Sequence, residues 1–518
     1  MRKNNSLGTY VESTGSSFAT TEEFLKSCID GDMKNPRLQE AGVPLTYLGN
    51  SRYAMSPPEN HVFLVGESGS GKTRRLIIPE IIALGKASSS MIISDPKGEL
   101  YRYTSGTLLK EGYHTIVLNF SNPYTGSRWN PLEMISELYH SDSLSRKAYA
   151  ELLLKKVASQ LKEGIASKND RYWENTAEGI FLGVALMILR QDQRLTFENI
   201  SIAAWSLFDE LDQYEEGSSA WREYLNCKKQ TDPGDEILKA LSALRAATDK
   251  TRCSIITTFD SMMAPYVSSP LLKYLFSTSD FSLDDLGKKP TALYLIVPDD
   301  SKTMYGPLTM LVEQCYSSLV RLADDNTANN GKLDVPVSFI LDEFANFTRI
   351  PDIDSMLTAA RSRGIRFVLV CQSTEQLDEK YGADGAEILR SNCRTWVYLC
   401  SRDISFLKQL QALMGDFVSP YTGKRRPLME ITDLQHLQPG QALVLNDRCS
   451  PYLGYLPDFE DKGLNFGKEY RKGEYSALVE RKLPDPEPIN LEIMFRKMKV
   501  DILSNTPREY YISHLFDD

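Results

Sequence analysis

This sequence has few residues of the kinds that build disulfide frameworks and zinc sites. Its 518 residues include eight cysteines and five histidines, and no two cysteines have the C-x-x-C spacing. The histidines form no H-E-x-x-H pattern or comparable cluster. This scarcity argues against a structural zinc site and indicates the reduced cysteines of a cytosolic protein.

A secretory signal and a long apolar run are also missing. Residues 1–6 are polar, and the longest apolar run extends from Ile180 to Leu189. A membrane-spanning helix needs about 20 apolar residues, so this run predicts a buried helix instead. We therefore expect no membrane anchor in this chain and a cytoplasmic location.

An excess of positive charge is the third absence. Lysine and arginine number 59, whereas aspartate and glutamate number 69, which gives a formal net charge of −10. This balance argues against a protein that coats DNA with its outer surface, although a local basic channel stays open as an alternative. The length and a hydrophobic content of 42% are typical of a soluble protein of two or three domains.

The strongest motif that is present is G-E-S-G-S-G-K-T at residues 66–73, which fits the phosphate-binding pattern G-x-x-x-x-G-K-[ST]. Residues 61–65 before it predict a buried strand, and residues 72–84 after it predict a helix that Pro79 kinks or shortens. Glycines let backbone N–H groups approach phosphates closely, and the helix start adds positive partial charge. We therefore predict a nucleotide cradle formed by Gly66, Glu67, Ser68, Gly69, Ser70, Gly71, Lys72 and Thr73.

Within this cradle, two side chains have predicted roles. Lys72 is expected to reach the β- and γ-phosphates, and Thr73 is expected to offer its hydroxyl to Mg²⁺. The predicted ligands are therefore ATP and Mg²⁺.

The hydrophobic pattern divides the chain into segments of different periodicity. Strands alternate with helices from about residue 60 to 135 and again from 292 to 399, which is typical of a parallel sheet flanked by helices. The sequence between them has helical periodicity with almost no strand pattern. We predict an α/β fold with a mostly parallel sheet, interrupted by an all-α insertion. The predicted segments are an N-terminal arm (1–50), the first part of a nucleotide-binding domain (51–139), an all-α domain (140–270), the second part of the nucleotide-binding domain (271–455) and a C-terminal tail (456–518).

A second motif, Asp342-Glu343, follows the predicted strand 337–341, which ends in the apolar residues 339–341. A buried strand that ends in two acids is the expected partner of a phosphate loop. Asp342 is placed to hold Mg²⁺ through water, and Glu343 is placed to polarise the attacking water as a general base. Alone, the pair is also typical of an acidic turn, but the glycine loop favours the catalytic interpretation.

Three further motifs leave alternatives open. Gln372 follows the predicted strand 367–370, where it would sense the γ-phosphate, and Arg361 would act on a neighbouring subunit. Both positions are equally typical of solvated polar residues. The segment D-P-K-G-E-L at residues 95–100 follows a strand at the ligand-binding edge of the sheet, as either a turn or a functional loop. Arg74-Arg75 faces either the phosphates or a neighbouring subunit.

Several of these motifs resemble the VirD4/TraG family of type IV secretion coupling proteins. They are D-P-K-G-E at 95–99, R-W-N-P-L at 128–132, L-D-E-F-A-N at 341–346, R-S-R-G-I at 361–365 and C-Q-S at 371–373. The resemblance runs in order from about residue 45 to 455. The helical stretch falls where that family carries its all-alpha domain.

The resemblance implies a RecA-like P-loop motor domain that forms a hexameric ring. Such a ring couples ATP hydrolysis to the movement of single-stranded DNA, with its attached relaxase, into a conjugation channel. The resemblance also makes Asp342 and Glu343 the Walker B pair and Gln372 the sensor. Arg361 becomes the arginine finger that acts across a subunit interface, with Arg363 as the second choice.

This sequence departs from the family pattern at its start. Family members usually begin with a transmembrane hairpin, which we do not find in this sequence. We therefore expect either that a partner recruits the protein to the cytoplasmic face of the membrane or that the protein acts away from the membrane. Two other functions stay open: a double-stranded DNA pump of the FtsK/HerA type and a non-hydrolysing docking adaptor. The helical insertion and the motifs at 95–99 and 129–132 favour the coupling protein over the pump.

Overall fold

A nine-stranded sheet organises the chain in a computed structural model that describes residues 15–163, 165, 171–212, 220–297, 304–419, 423–468, 470–471, 473–484 and 486–505. The strands are β1 (Ile29–Asp32), β2 (Pro44–Gly49), β3 (Arg52–Met55), β4 (Val62–Val65), β5 (Ser90–Ser94), β6 (His114–Asn119), β7 (Thr291–Ile296), β8 (Val337–Leu341), β9 (Ile365–Cys371), β10 (Thr395–Tyr398), β11 (Asp416–Val418), β12 (Arg425–Pro427), β13 (Gln441–Asn446) and β14 (Cys449–Tyr455). The sheet order is β14-β13-β10-β4-β9-β8-β5-β7-β6. The neighbours from β10 to β7 pair in parallel, whereas β13 pairs antiparallel with β10 and with β14. The predicted α/β fold with a mostly parallel sheet is confirmed.

The described helices alternate with these strands and then fill the middle of the chain. They are α1 (Thr21–Leu25), α2 (Ile78–Lys86), α3 (Glu99–Lys110), α4 (Glu133–Tyr139), α5 (Leu144–Glu163), α6 (Arg171–Arg190), α7 (Phe197–Asp212), α8 (Ala220–Thr231), α9 (Glu236–Ala240), α10 (Ser242–Ala246), α11 (Asp249–Val267), α12 (Pro270–Leu275), α13 (Asp285–Lys288), α14 (Tyr305–Asp325), α15 (Ile353–Ala360), α16 (Glu375–Asn392), α17 (Ile404–Met414), α18 (Ile431–Gln435) and α19 (Leu491–Asn505). In the described residues, no helix is long and apolar enough to cross a membrane.

Contacts group the described residues into two compact units. The sheet unit contains the described residues of 1–117, 283–299 and 315–477, and the helical unit contains those of 118–282, 300–314 and 478–518. The helical unit therefore includes residues on both sides of the predicted 140–270 segment, because residues 118–139 and the helix α19 belong to it.

The central strands are buried on both faces, as parallel strands covered by helices must be. Every residue of β4, β8 and β9 is buried. Phe339 of β8 and Phe367 of β9 stack with their ring centroids 4.6 Å apart. Because β4, β9, β8 and β5 are consecutive in the sheet, the loops that follow their carboxyl ends lie side by side.

The helix after the glycine loop begins with a wide turn. Residues Lys72–Ile77 form a π-helix, and the Ile78 N–H donates to the Thr73 carbonyl five residues earlier. Pro79 follows this wide turn as the second residue of α2, where it has no N–H to donate to the preceding turn. The α-helical segment is thus shorter than the apolar pattern indicates, as expected from Pro79.

The N-terminal residues contain structure that the sequence pattern did not predict. The strands β1, β3 and β2 form a separate antiparallel sheet in that order. The β1 sequence I-D-G-D is polar, so it has no apolar alternation that would indicate a strand. Residues 1–14 of the predicted arm lie outside the described residues.

The motif at residues 128–132 holds the helical unit together. Arg128 pairs with Asp280, with Nη2 and Oδ1 2.9 Å apart, and the Trp129 N–H donates to the Leu275 carbonyl at 2.8 Å. The Asn130 side chain donates to the Leu195 carbonyl at 2.9 Å. The residues of this motif therefore connect separate segments of the helical unit.

Candidate active site

A cavity of about 450 Å³ opens at the carboxyl-terminal edge of the parallel strands. All its lining residues belong to the sheet unit. The lining residues are Glu67, Ser68, Gly69, Gly71, Lys72, Thr73, Arg74, Asp95, Pro96, Lys97, Glu99, Leu100, Asp342, Glu343, Asn346 and Gln372.

Nine of the twelve site residues predicted from the sequence border this cavity. The three that do not are Gly66, Ser70 and Arg361. Gly66 and Ser70 are still part of the loop that shapes the cavity, whereas Arg361 lies at a different edge of the sheet.

The glycine loop has the backbone geometry of a phosphate cradle. Gly69 and Gly71 have φ values of +81° and +94°, in the left-handed region that side chains with a Cβ rarely adopt. A Cβ on Gly71 would also approach the Arg75 Cδ to 2.7 Å. The loop is anchored at both neighbouring strands, since the Gly66 N–H donates to the Cys371 carbonyl and the Glu67 N–H donates to the Cys400 carbonyl.

The polar groups of this loop fit a bound triphosphate. The buried Lys72 ammonium donates to the Gly66 carbonyl at 2.5 Å and to the Glu67 carbonyl at 3.2 Å. The Ser70 hydroxyl is buried and has no hydrogen-bond partner among the described residues. A lysine bonded only to loop carbonyls and an unsatisfied hydroxyl are groups that phosphate oxygens would satisfy.

The acidic pair follows β8, two strands from the glycine loop. Burial raises the pKa of the Asp342 carboxyl to about 7, the neighbouring Glu343 charge adds to the increase, and Lys72 opposes it. Glu343 has a φ of +54°, and its N–H donates to Asp342 Oδ1 at 3.0 Å. A non-glycine residue in this conformation costs about 1–3 kcal/mol, and such strain is common at functional sites.

Gln372 joins the acidic pair across the strands. It follows β9, between β4 and β8, and its Nε2 donates to Glu343 Oε1 at 2.6 Å. The structure therefore brings Lys72, Asp342, Glu343 and Gln372 to one cavity from three adjacent strands. This arrangement gives Glu343 a fixed orientation beside the glycine loop.

The loop after β5 contributes both a turn and part of the cavity wall. The Asp95 carboxylate accepts hydrogen bonds from the Leu100 and Tyr101 N–H groups at 3.2 and 2.8 Å, which starts α3. Burial raises the pKa of Asp95 to about 6, although these backbone bonds oppose the increase. Lys97 and Glu99 line the cavity. The loop therefore forms a turn and also borders the cavity.

Sequence reasoning left open whether Arg74 faces the phosphates or a neighbouring subunit, and it missed Asn346; both residues line the cavity. The Arg74 guanidinium forms two 2.8 Å hydrogen bonds with Asp458 and one of 2.6 Å with Glu460. Arg75 donates to the Leu456 carbonyl at 2.8 Å. The position of Arg74 next to Thr73 is a local signal, but its acidic partners are far away in sequence and carry no motif.

Arg361 lies outside this cavity. It is in the 3-10 turn Arg361–Arg363, which precedes β9 and therefore lies at the amino-terminal edge of the sheet. Burial, with a smaller effect of the Arg394 charge, lowers the pKa of Arg361, and its Nε has no hydrogen-bond partner among the described residues. Arg363 instead donates to Asp324 at 2.9 Å.

Comparisons with known proteins agree with this fold. The family model described as "Type IV secretory system Conjugative DNA transfer" matches residues 16–418. The Conjugal transfer protein TraG of Escherichia coli is 26% identical over 365 residues, which cover 67% of this chain and 53% of the relative. Protein VirD4 of Rhizobium radiobacter is 24% identical over 485 residues, 89% of this chain and 64% of the relative.

Solved structures of the conjugative coupling protein TrwB share the fold. The unbound form has a TM-score of 0.57 and 15% sequence identity, and the match covers 87% of this chain and 96% of TrwB. TrwB with the ATP analogue ADPNP also has a TM-score of 0.57 and 15% identity, over 88% of this chain and 97% of TrwB. TrwB with ADP and Mg²⁺ has a TM-score of 0.56 and 16% identity, over 86% and 94%.

The family match covers most of this chain, while the chain spans about half the length of the TraG relatives that it matches. By that match, this chain belongs to the family of type IV secretory system conjugative DNA transfer proteins.

Proposed function

We propose that this chain is an ATPase that moves single-stranded DNA, with a bound relaxase, towards a type IV secretion channel. One observation carries the proposal: in a chain of this family, Lys72, Asp342, Glu343 and Gln372 line a single cavity. A phosphate-binding lysine beside an acidic pair is the arrangement that nucleotide hydrolysis needs.

In this proposal the glycine loop binds the phosphates of ATP. Lys72 exchanges its bonds with the loop carbonyls for bonds with the β- and γ-phosphates, and Thr73 and Asp342 hold Mg²⁺. A bound Mg²⁺ would neutralise charge on the phosphate oxygens and favour the ionised form of Asp342. Solved structures of TrwB, which include complexes with ADPNP and with ADP and Mg²⁺, support this choice of ligands.

Glu343 acts as the general base in the same proposal. Its carboxylate orients and polarises the attacking water, and the Gln372 hydrogen bond keeps that carboxylate in place. The second N–H of the Gln372 amide would donate to the γ-phosphate, so that Gln372 senses the phosphate while it keeps Glu343 in place. The strained backbone of Glu343 supports a functional role.

The proposal assigns Arg361 to the cavity of a neighbouring subunit. In its own subunit Arg361 lies at the opposite edge of the sheet from the glycine loop, and the VirD4/TraG resemblance implies a hexameric ring. Arg363 is the weaker candidate because Asp324 already neutralises it. A ring of this kind would act on single-stranded DNA with its bound relaxase and would contact channel components. A membrane partner would recruit it to the cytoplasmic face of the membrane.

The test is ATP turnover by the wild type and by Glu343→Gln, with and without single-stranded or duplex DNA. We expect single-stranded DNA to stimulate the wild type and Glu343→Gln to lose at least about 100-fold in kcat. Glu379→Gln, an exposed position in α16, is the matched control. Unchanged turnover in Glu343→Gln would exclude this residue as the base, and stimulation by duplex DNA alone would favour a double-stranded DNA pump.

A further inference from the structure

A segment near the carboxyl terminus crosses the two helices that begin at the cavity. We call residues 456–477, without 469 and 472, the C-terminal strap. The Phe459 N–H donates to the Arg74 carbonyl at 3.2 Å, and the Arg471 N–H donates to Thr107 Oγ1 of α3 at 3.0 Å. The Tyr101 hydroxyl donates to the Ser476 carbonyl at 2.9 Å. The strap thus contacts both the turn after the glycine loop and α3.

Arg74 is the residue that the strap shares with the cavity. Its Nε and Nη2 donate to the two Asp458 oxygens at 2.8 Å, in the bidentate geometry that orients a guanidinium most firmly. Its Nη2 also donates to Glu460, and the guanidinium carbon lies 4.7 Å from the centroid of the Phe459 ring. Three consecutive strap residues therefore hold one side chain of the cavity wall.

These contacts leave part of the guanidinium available. Among the described residues, no partner bonds the Arg74 Nη1, and the side chain keeps 38% of its surface exposed. Asp458 holds the pKa of Arg74 above its ordinary value, so the group stays charged. A charged donor next to Thr73 is suited to an anionic ligand that enters the cavity.

We propose that Arg74 is a positioning residue for the nucleotide and that the C-terminal strap orients it. Nucleotide binding and strap docking then stabilise each other, because a coupling between two events acts equally in both directions. This inference rests on the proposed nucleotide-binding function. It adds an arginine N–H donor to the site, and the position of this donor depends on residues more than 380 positions further along the chain.

The experiment measures the Kd of ADP with Mg²⁺ for the full chain and its variants. Asp458→Asn keeps the side-chain volume but removes the charge that orients Arg74, so we expect ADP to bind at least about fivefold more weakly. Arg74→Lys keeps the charge but cannot form the two parallel hydrogen bonds with Asp458, so it should also weaken ADP binding. This variant tests the inference if Asp458→Asn does not fold. Arg52→Ala, which removes another arginine–aspartate pair on the small sheet, is the control.

The reverse direction is tested by hydrogen exchange of the strap. We expect ADP with Mg²⁺ to slow exchange in residues 456–477 of the wild type, and this protection should be lost in Arg74→Ala. A strap with a purely structural role would exchange at the same rate with and without ADP. Wild-type affinity in Asp458→Asn and Arg74→Lys, with no response of the strap, would overturn the inference. Failure of the wild type to bind ADP would instead overturn the proposed function.

Discussion

The buried His61 should make the stability of the sheet depend on pH. It lies directly before β4, with its Nε2 2.7 Å from the Leu357 carbonyl and its Nδ1 3.0 Å from the Phe367 nitrogen. A neutral ring with the proton on Nε2 satisfies both contacts, whereas a second proton on Nδ1 would oppose the Phe367 N–H. Burial lowers the pKa of His61 to about 4, and nearby arginine charges lower it further, while the Leu357 carbonyl opposes them.

The sign and size of the effect follow from the two pKa values of His61. In the unfolded chain the ordinary value is about 6.5, so the unfolded state takes up the proton first as the pH falls. The stabilisation is complete above about pH 6.5 and is lost as the pH falls towards 4. A difference of about 2.5 between the pKa values corresponds to about 3 kcal/mol, of which about 2 kcal/mol is lost between pH 7.5 and pH 5.

The assay is the free energy of unfolding at pH 7.5 and at pH 5, measured by denaturant titration. His61→Gln should be less stable than the wild type at pH 7.5, and the gap should narrow by about 2 kcal/mol at pH 5. His114→Gln, which changes an exposed histidine at the start of β6, is the control. A gap for His61→Gln that stays constant between the two pH values would refute the reasoning.

Three further predictions concern the cavity and the opposite edge of the sheet. Lys72→Ala should lower ATP turnover by at least about 100-fold, because it removes a preorganised cation, while circular dichroism still shows a folded chain. Gln372→Ala should lower kcat by about 10- to 100-fold, because Glu343 loses its orienting bond, and a steady-state assay that finds kcat unchanged would contradict this. Arg361→Ala should also lose turnover, and mixing it with Lys72→Ala subunits should restore part of it. No recovery in the mixture would count against an arginine that acts on a neighbour.

The sequence predicted the parts of the fold that local patterns determine. The strand β4 is a continuous apolar run that ends in the glycine loop, and β8 is a mostly apolar run that ends in Asp342, so both their positions and their loops were predictable. The strand β1 was not, because its polar sequence becomes a strand only by pairing with β3. The sheet order was also beyond the sequence, since pairs such as β4 and β9 join residues that are about 300 positions apart.

The residues of the cavity also divide into those that local sequence patterns predict and those that only the structure reveals. The glycine loop, Asp342, Glu343 and Gln372 each follow a predicted strand, and parallel strands bring their carboxyl ends to one edge. For Arg74 the sequence left open whether it faces the phosphates or a neighbouring subunit, and it gave no indication of the contact with Asp458. Long-range partners of this kind have no local periodicity, so sequence patterns do not reveal them.

The strand β9 explains why the mixing experiment separates the alternatives for Arg361. Gln372 follows its carboxyl end at the cavity, and the turn with Arg361 precedes its amino end. Seven residues of strand span about 20 Å, which is longer than an arginine side chain. Arg361 therefore does not reach the glycine loop of its own subunit along this strand. If the loss of Arg361 lowers turnover because the phosphates lose a contact, Arg361 acts in the cavity of another copy of the chain. Recovery of turnover in a mixture of complementary variants measures this action between copies.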